Sequence, residues 1–402
     1  MEYKVMYLMM VTANANNNKY YKMIPKGDTF TVEYGRVGSI PQIRSYPIKD
    51  WNKKLREKLA KGYTDKSELM TDLIQEEEPK KLYLDIPNKD IQNIVDRLQK
   101  MARQTISANY NITSNKVTQA MVDKAQDILT NLTTIVSVDD FNRLLLELFE
   151  VIPRKMKKVS DFLATSNEDY SNIIQKEQDL LDVMKGQVYQ HTIAQNTEQV
   201  EENTPTMTIL EAMGLEFEPV DDLDIIKIKY CLGNDEDKFY KAWRVKNIAT
   251  QNAFDTYLKA NNNPDTKLLW HGSRNENWWS IVNSGLVLRP TNAVITGKMF
   301  GYGIYFATKA RKSIGYTSLN GSYWARGNSE SAFMGLYEVA YGKPYDVYSF
   351  DSKYYQLNYQ KLQEMCNGAN CLHAHAGKML QNDEIIVYKQ PQTTIKYLVE
   401  IR

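Results

Sequence analysis

Cysteine is scarce in this chain: three in 402 residues, at 231, 366 and 371. Three thiols without a Cys-x-x-Cys pair give no disulfide framework, and the simple reading is a reduced, intracellular protein. Cys366 and Cys371 stand close to His373 and His375, but their spacing fits no standard zinc pattern, so no metal is expected. No run of 18 apolar residues occurs, so no membrane span is expected. The opening MEYKVMYLMMV has a short apolar patch, carries Glu2, and lacks the basic start, long apolar run and cleavage site of a secretory leader. It reads as a strand. Internal repeats and long low-complexity tracts are missing as well. The net charge is only +1, which selects no class of partner.

What is present is ordinary globular material, with 43% hydrophobic residues and enough length for two or three domains. The charge is uneven. Residues 1–66 hold 13 Lys and Arg against 6 Asp and Glu, an excess of +7. Within them, EYKVMYLMMV and DTFTVEYGRVGSI are rich in β-branched and aromatic residues and flank an Asn-rich turn, which predicts a small antiparallel sheet. KDWNKKLREKLAKGYTD has helical spacing ending near Gly62. Glu76–Glu78 followed by Pro79 marks a boundary.

Residues 88–200 carry apolar residues at three-and-four spacing in IQNIVDRLQKMARQTI, VTQAMVDKAQDILTNLTTIV, VDDFNRLLLELFEVI and YSNIIQKEQDLLDVMKGQV. Ser137 to Asp140 and Thr165 to Asp169 offer helix caps. A bundle of about four helices follows. HTIAQNTEQVEENTPT is polar and unpatterned, and reads as a linker. From about 207 the pattern becomes short strands, DIIKIKYCL, KAWRVKNI, LLWHG, YGIYFA, MGLYEVAYG, EIIVYK and IKYLVEIR, with helices at NAFDTYLKA and NENWWSIVNSG. Without a regular βαβ alternation this predicts an α+β domain.

The densest local signal runs from 268 to 317, LLWHGSRNENWWSIVNSGLVLRPTNAVITGKMFGYGIYFATKARKSIGYTS. His271 and Gly272 follow an apolar strand. Gly301–Gly303 opens another that carries Tyr305. Ser313 and Tyr316 follow in a helix. Singly, each has a plain structural explanation: a histidine after a strand is more often structural than catalytic, Tyr305 fits a core, and Ser313 fits a helix cap.

Together they resemble the signature of the poly(ADP-ribose) polymerase family, which places a His, a Tyr and a Glu on three strands. Here these are His271, Tyr305 and Glu384, the last in NDEIIVYK. The resemblance runs from His271 through Tyr316, including MFGYGIYFA, and into the terminal strands. It implies an ADP-ribosyltransferase that uses NAD⁺ as substrate and needs no metal. NAD⁺ would be held by His271, Gly272, Ser273, Asn277, Arg289, Tyr305, Ser313 and Tyr316. His271 would donate to the adenosine ribose, and Asn277 and Arg289 would touch adenosine. Val287 stands where the family usually has another Arg. Met299 matches a position near the acceptor end.

The chemistry suits these residue types. Two tyrosines can sandwich the flat nicotinamide by offset stacking, about 0.5–1.5 kcal/mol each beyond burial. The Gly272 backbone and the Ser313 hydroxyl would take the carboxamide. Breaking the glycosidic bond builds oxocarbenium character on the ribose, which a carboxylate at Glu384 would stabilise. The same group would help deprotonate the acceptor. Asp383 is the competing carboxylate, one residue away and on the other face. Family members that keep the Glu usually make polymers. The stretch between Lys343 and Asn382 is shorter than in many relatives and shapes the acceptor side, so polymer length stays open.

VEYGRVGSI resembles the family's WGR domain, with Tyr34 in place of the Trp and Arg36 kept. This implies a grip on DNA break ends, with Tyr34 packing on an exposed sugar or base and Arg36 reaching a phosphate or a neighbouring domain. The +7 excess suits a phosphate-facing surface. Residues 88–200 resemble the regulatory helical domain that blocks NAD⁺ entry until DNA binds. No zinc-finger region precedes the WGR-like part, so DNA sensing is expected from this compact set. The expected whole is multidomain: a β-rich WGR-like domain over 1–80, an all-α bundle over 85–200 and an α+β transferase over 207–402. The expected partners are DNA ends and acceptor proteins, the enzyme itself included, in a monomer with no membrane contact. The expected location is a bacterial cytosol or nucleoid, or a nucleus if eukaryotic. The rivals are a transferase adding a single unit and a catalytically silent DNA-end sensor; a secreted toxin is disfavoured by the upstream domains.

Overall fold

A computed structural model describes residues 3–69, 83–111, 117–197, 207–262, 264–288, 299–377 and 380–402. Glu76–Pro79, the second half of the expected linker and Arg289 lie outside the described residues. The chain packs as two compact units: Met1–Lys80 with Arg103–Val188, and Lys81–Ala102 with Tyr189–Arg402.

The first unit opens with strands β1 (Met6–Thr12), β2 (Asn17–Lys26), β3 (Thr29–Arg36) and β4 (Gln42–Pro47), helix α1 (Trp51–Ala60) and strand β5 (Thr64–Asp65). They form an antiparallel sheet in the order β4-β3-β2-β1-β5. Alternation puts Leu8, Tyr21, Met23, Phe30 and Val32 on the face that meets Trp51 of α1. The β2–β3 turn is two residues long, with Gly27 at φ +59°, a conformation that suits glycine in a tight hairpin.

Helices α2 (Lys89–Asn109), α3 (Gln119–Leu132), α4 (Val138–Val151) and α5 (Tyr170–Thr197) follow. Thr118 and Ser137 cap α3 and α4 by accepting the Met121 and Asp140 amides. The Asp169 carboxylate accepts from the Thr165 and Ser166 amides just before α5. Helix α5 is longer than expected: residues 191–197 of the supposed linker are helical. Polar composition there lacks a helix breaker, so the helix runs on.

The second unit holds helix α6 (Ile209–Met213), strand β6 (Leu215–Pro219), helix α7 (Asp222–Leu232), strand β7 (Phe239–Asn247), helix α8 (Ile248–Ala260), strand β8 (Thr266–Gly272), helix α9 (Trp278–Ser284), strand β9 (Ile304–Ala307), helix α10 (Ala310–Ile314), strands β10 (Ala332–Ala340) and β11 (Pro344–Val347), helix α11 (Tyr359–Met365), and strands β12 (Cys371–Ala374), β13 (Glu384–Val387) and β14 (Thr393–Ile401). Nine strands make one mixed sheet, in the order β11-β12-β13-β9-β8-β10-β14-β7-β6. The centre is apolar on both faces, with Phe333, Met334, Leu336, Leu398 and Val399 fully buried. The first turns of α2 are pinned to this sheet, where Arg97 meets the fully buried Glu400 at 2.7 Å. The Trp243 indole also donates to Asp90 at 3.0 Å.

One expectation fails outright. DIIKIKYCL is not a strand but the body of α7. Its Ile-Lys alternation imitates a strand, yet the ends decide. Asp221 caps the helix by accepting the Asp224 amide, and Gly233 ends it at φ +58°. That amide, and then Arg244, holds the Asp221 carboxyl below the usual carboxylate range. A lowered carboxyl stabilises the fold above its ordinary value, and the contribution is lost as pH falls through the lowered one. Acid titration followed by NMR is therefore expected to show α7 amides loosening only below the ordinary carboxylate range, and Asp221→Ala to remove that step.

Candidate active site

The site is built where β8 and β9 part. These neighbours share one bridge pair, Trp270 with Ala307. Beyond it a side chain takes over the ladder's role: the His271 Nδ1 lies 3.0 Å from the Tyr305 carbonyl. A carbonyl only accepts, so Nδ1 carries the proton. The His271 ring also meets Phe306 and Tyr337 edge-on at 5.9 and 6.1 Å.

Gly272 ends β8, and a Cβ there would stand 2.0 Å from the Ser313 carbonyl oxygen. The glycine therefore lets α10 press on the strand end, which brings the buried Ser313 beside the Gly272 backbone. Gly272→Ala is expected to cost about 3 kcal/mol, the upper end for an overpacked site, because the clash is with backbone. Thermal denaturation should show the loss, and turnover should fall with it as α10 shifts.

On the other side, β9 pairs with β13, matching Tyr305 to Ile386 and Ala307 to Glu384. Alternation therefore places Glu384 on the same face as Tyr305. Glu384 is 8% exposed, and its carboxylate forms an ion pair with Lys312 of α10. Asp383 turns away, to the His373 ring and the Ala376 amide. The Tyr305 hydroxyl donates to the Gly301 carbonyl at 3.1 Å and accepts the Phe300 amide at 3.0 Å. Burial pushes the Tyr305 hydroxyl far above its usual value, and the nearby Glu384 and Tyr316 push the same way. Tyr316, although 41% exposed as a whole, is raised to about 12, by burial first and Glu384 second. Tyr305, Tyr316, Lys312 and Glu384 thus share one neighbourhood, and both tyrosines stay neutral at any working pH.

Tyr316 sits in the turn after α10, not in the helix as expected, because the helix ends at Ile314. There its ring stacks on Trp324 at 6.1 Å and 19°. Lys312 and Trp324 were not singled out by the sequence. Lys312 adjoins Ser313, and only the docking of α10 on β8 shows that it faces Glu384. The Asn277 amide nitrogen donates to the Ser273 hydroxyl at 3.0 Å, while its buried oxygen has no hydrogen-bond partner among the described residues. Met299 packs beside Phe300, near Tyr305, in the same apolar cluster. A cleft of about 530 Å³ lined by Thr250, Ile281, Leu288, Tyr337 and Lys389 contains none of the expected site residues that are among the described ones.

In the first unit, Tyr34 is half-buried against Tyr21, with Lys58 and Arg44 each 5.8 Å from its ring. Of the two roles expected for Arg36, the contacts show the reach to a neighbouring segment. Its guanidinium donates to the Asn16 carbonyl at 2.8 Å, to the Met156 carbonyl at 2.8 Å and to the Lys157 carbonyl at 2.6 Å. These carbonyls satisfy the planar fork, so Arg36 fastens the sheet to the segment after α4.

Two family profiles match: the poly(ADP-ribose) polymerase catalytic domain over residues 226–402, and the WGR domain over residues 4–69. The chain is 33% identical over 233 residues to the uncharacterized protein 101L of invertebrate iridescent virus 6, covering 57% of this chain and 95% of that one. It is 32% identical over 167 residues to the putative poly [ADP-ribose] polymerase-like 100L of the same virus, covering 41% and 86%. Poly [ADP-ribose] polymerase 2 of Arabidopsis thaliana is 22% identical, with 96% and 71% covered. With the His271, Tyr305 and Glu384 strands assembled around one seam, these matches have one reading: the chain belongs to the poly(ADP-ribose) polymerase family.

Proposed function

We propose that this protein transfers ADP-ribose from NAD⁺ to protein side chains, its own included, and extends the product into polymer. The observation that carries this is the placement of Glu384, buried and paired with Lys312, on the face it shares with Tyr305. Nicotinamide lies between the Tyr305 and Tyr316 rings. Its carboxamide meets the Gly272 backbone and the Ser313 hydroxyl. The His271 ring, held through Nδ1 on the Tyr305 carbonyl, meets the adenosine ribose. Asn277, bonded to the Ser273 hydroxyl, is the residue proposed to meet the adenosine end.

As the bond between the ribose carbon and nicotinamide breaks, its electron pair passes to the ring nitrogen and nicotinamide leaves neutral. The ribose carbon becomes electron-poor, and the Glu384 carboxylate stabilises it through the ribose hydroxyl it holds. The acceptor oxygen attacks that carbon and its proton passes to Glu384. Lys312 holds the carboxylate in place beforehand.

The basic first sheet and the WGR match support DNA ends as the activating partner. With Arg36 occupied, Tyr34 and the lysines and Arg44 around it are the residues proposed to meet DNA. The helices over 103–188 are the proposed relay, and DNA binding is expected to raise their amide exchange. The test is NAD⁺ consumption by purified protein with and without nicked or blunt DNA, alongside a gel. DNA-dependent consumption with a high-mass smear supports the whole reading. A single added unit replaces polymerisation by mono-transfer. Consumption indifferent to DNA removes the sensor. No consumption leaves a silent DNA-end-binding protein.

A further inference from the structure

The edge of the nine-stranded sheet carries a cluster of side chains that ADP-ribose transfer does not use. Strands β11 and β12 run parallel, with Asp346 paired to His373. His375 follows two residues on, so both histidines lie on the face that Asp346 shares. Their rings stack at 3.9 Å and 22°, and Tyr348 stacks on His375 at 4.4 Å. The His375 Nε2 is 2.7 Å from the Asp346 carboxylate, and the His373 Nδ1 is 3.9 Å from the same oxygen. One donor atom from each of the three residues lies within 4.8 Å of the others.

We propose that Asp346, His373 and His375 form a binding site for a divalent transition cation of the zinc class. Two imidazoles and a carboxylate are a donor set for borderline divalent metals. Bonds of about 2.0–2.2 Å place neighbouring donors roughly 3.3 Å apart in a tetrahedral site. The separations of 2.7 and 3.9 Å bracket that spacing, so small side-chain rotations suffice.

The surroundings favour coordination. The His373 Nε2 faces the Asp383 carboxylate at 3.1 Å, and Asp383 is itself held by the Ala376 amide at 2.7 Å. A carboxylate on the far nitrogen fixes the tautomer and aims the other nitrogen at the ion. Nδ1 then presents its lone pair toward Asp346. The Tyr341 hydroxyl, 2.8 Å from that nitrogen, yields its place to the ion. Asp346 is 43% and His375 24% exposed, which gives a cation a path in and leaves room for water to complete the shell. Neither Cys366 nor Cys371 belongs to the set; the Cys371 thiol points to the Tyr341 carbonyl.

The test is isothermal titration of the full chain, freed of metal by chelator, with Zn²⁺. One saturable equivalent is expected, lost in His375→Ala and in Asp346→Asn or weakened by more than the roughly 10- to 100-fold that loss of an outer partner costs. Cys366→Ser should bind as the parent does. Cobalt added to the same protein should show weak bands without a thiolate charge-transfer band. Far-UV circular dichroism confirms that the variants fold; if His375→Ala does not, the near-isosteric Asp346→Asn decides. No saturable uptake, uptake unchanged in the folded variants, or a thiolate band overturns the assignment and leaves a hydrogen-bonded histidine pair only.

Discussion

Glu384→Gln is expected to lower the turnover of NAD⁺ by about 10²- to 10³-fold, the loss typical when one preorganised charge-stabilising group is removed. The substitution keeps the shape and one hydrogen bond but removes the charge that faces the electron-poor ribose. The Michaelis constant for NAD⁺ should move little, because the proposed contacts to nicotinamide and adenosine come from other residues. Lys312 is left without its counter-ion, but it is anchored on α10 and only partly buried, so the fold should survive. Steady-state kinetics with a melting curve for each protein checks both halves. Turnover kept within a few-fold would take Glu384 out of the chemistry.

The second large effect lies in the first unit. Arg154 is 1% exposed, and its guanidinium meets the buried Glu177 at 3.3 Å, with Tyr110 and Phe162 facing it at 4.9 and 5.5 Å. Arg154→Met is expected to destabilise this unit by about 3–5 kcal/mol, because it strands a buried carboxylate. The Glu177 carboxyl is already pushed up by burial, against the pull of Arg154. A raised carboxyl favours the fold below its unfolded value of about 4.3, and this contribution is lost as pH rises through the folded value. The deficit of Arg154→Met should therefore shrink toward acid pH and grow toward neutrality. The double variant Arg154→Met/Glu177→Leu should recover most of it, since an apolar pair of similar volume often replaces a buried ion pair at little cost. Hydrogen exchange of α4 and α5 amides reads the unit directly. A single variant as stable as the parent at neutral pH would show that the carboxyl is uncharged there.

The same segment shows how tertiary contacts choose between two roles open to one arginine. Arg36 lies in a basic stretch beside an aromatic, and that pattern suggests a phosphate ligand. Charge pattern cannot reveal that the Met156 and Lys157 carbonyls, 120 residues away in sequence, reach the guanidinium first. The β-rich start and most of the helical stretch accordingly pack as one unit, although their compositions differ sharply.

The sequence by itself determined the periodic elements and named the residues proposed to react. Strands β8, β9, β10, β13 and β14 and the long helices have apolar periods that leave little choice. His271, Tyr305 and Glu384 could be picked out because a motif resembling the family's runs through their strands, and the strand pairing brings those strands together. Helix α7 could not be, since its period is ambiguous and its caps decide. Only the tertiary structure decided how α10 docks: the missing Cβ of Gly272 admits the Ser313 carbonyl, and that approach brings Lys312 onto Glu384. It alone assembled Asp346, His373 and His375, because strand pairing joins residues far apart in the chain. Local preference is written in neighbouring residues, whereas contact across a sheet depends on register, which the whole core fixes at once.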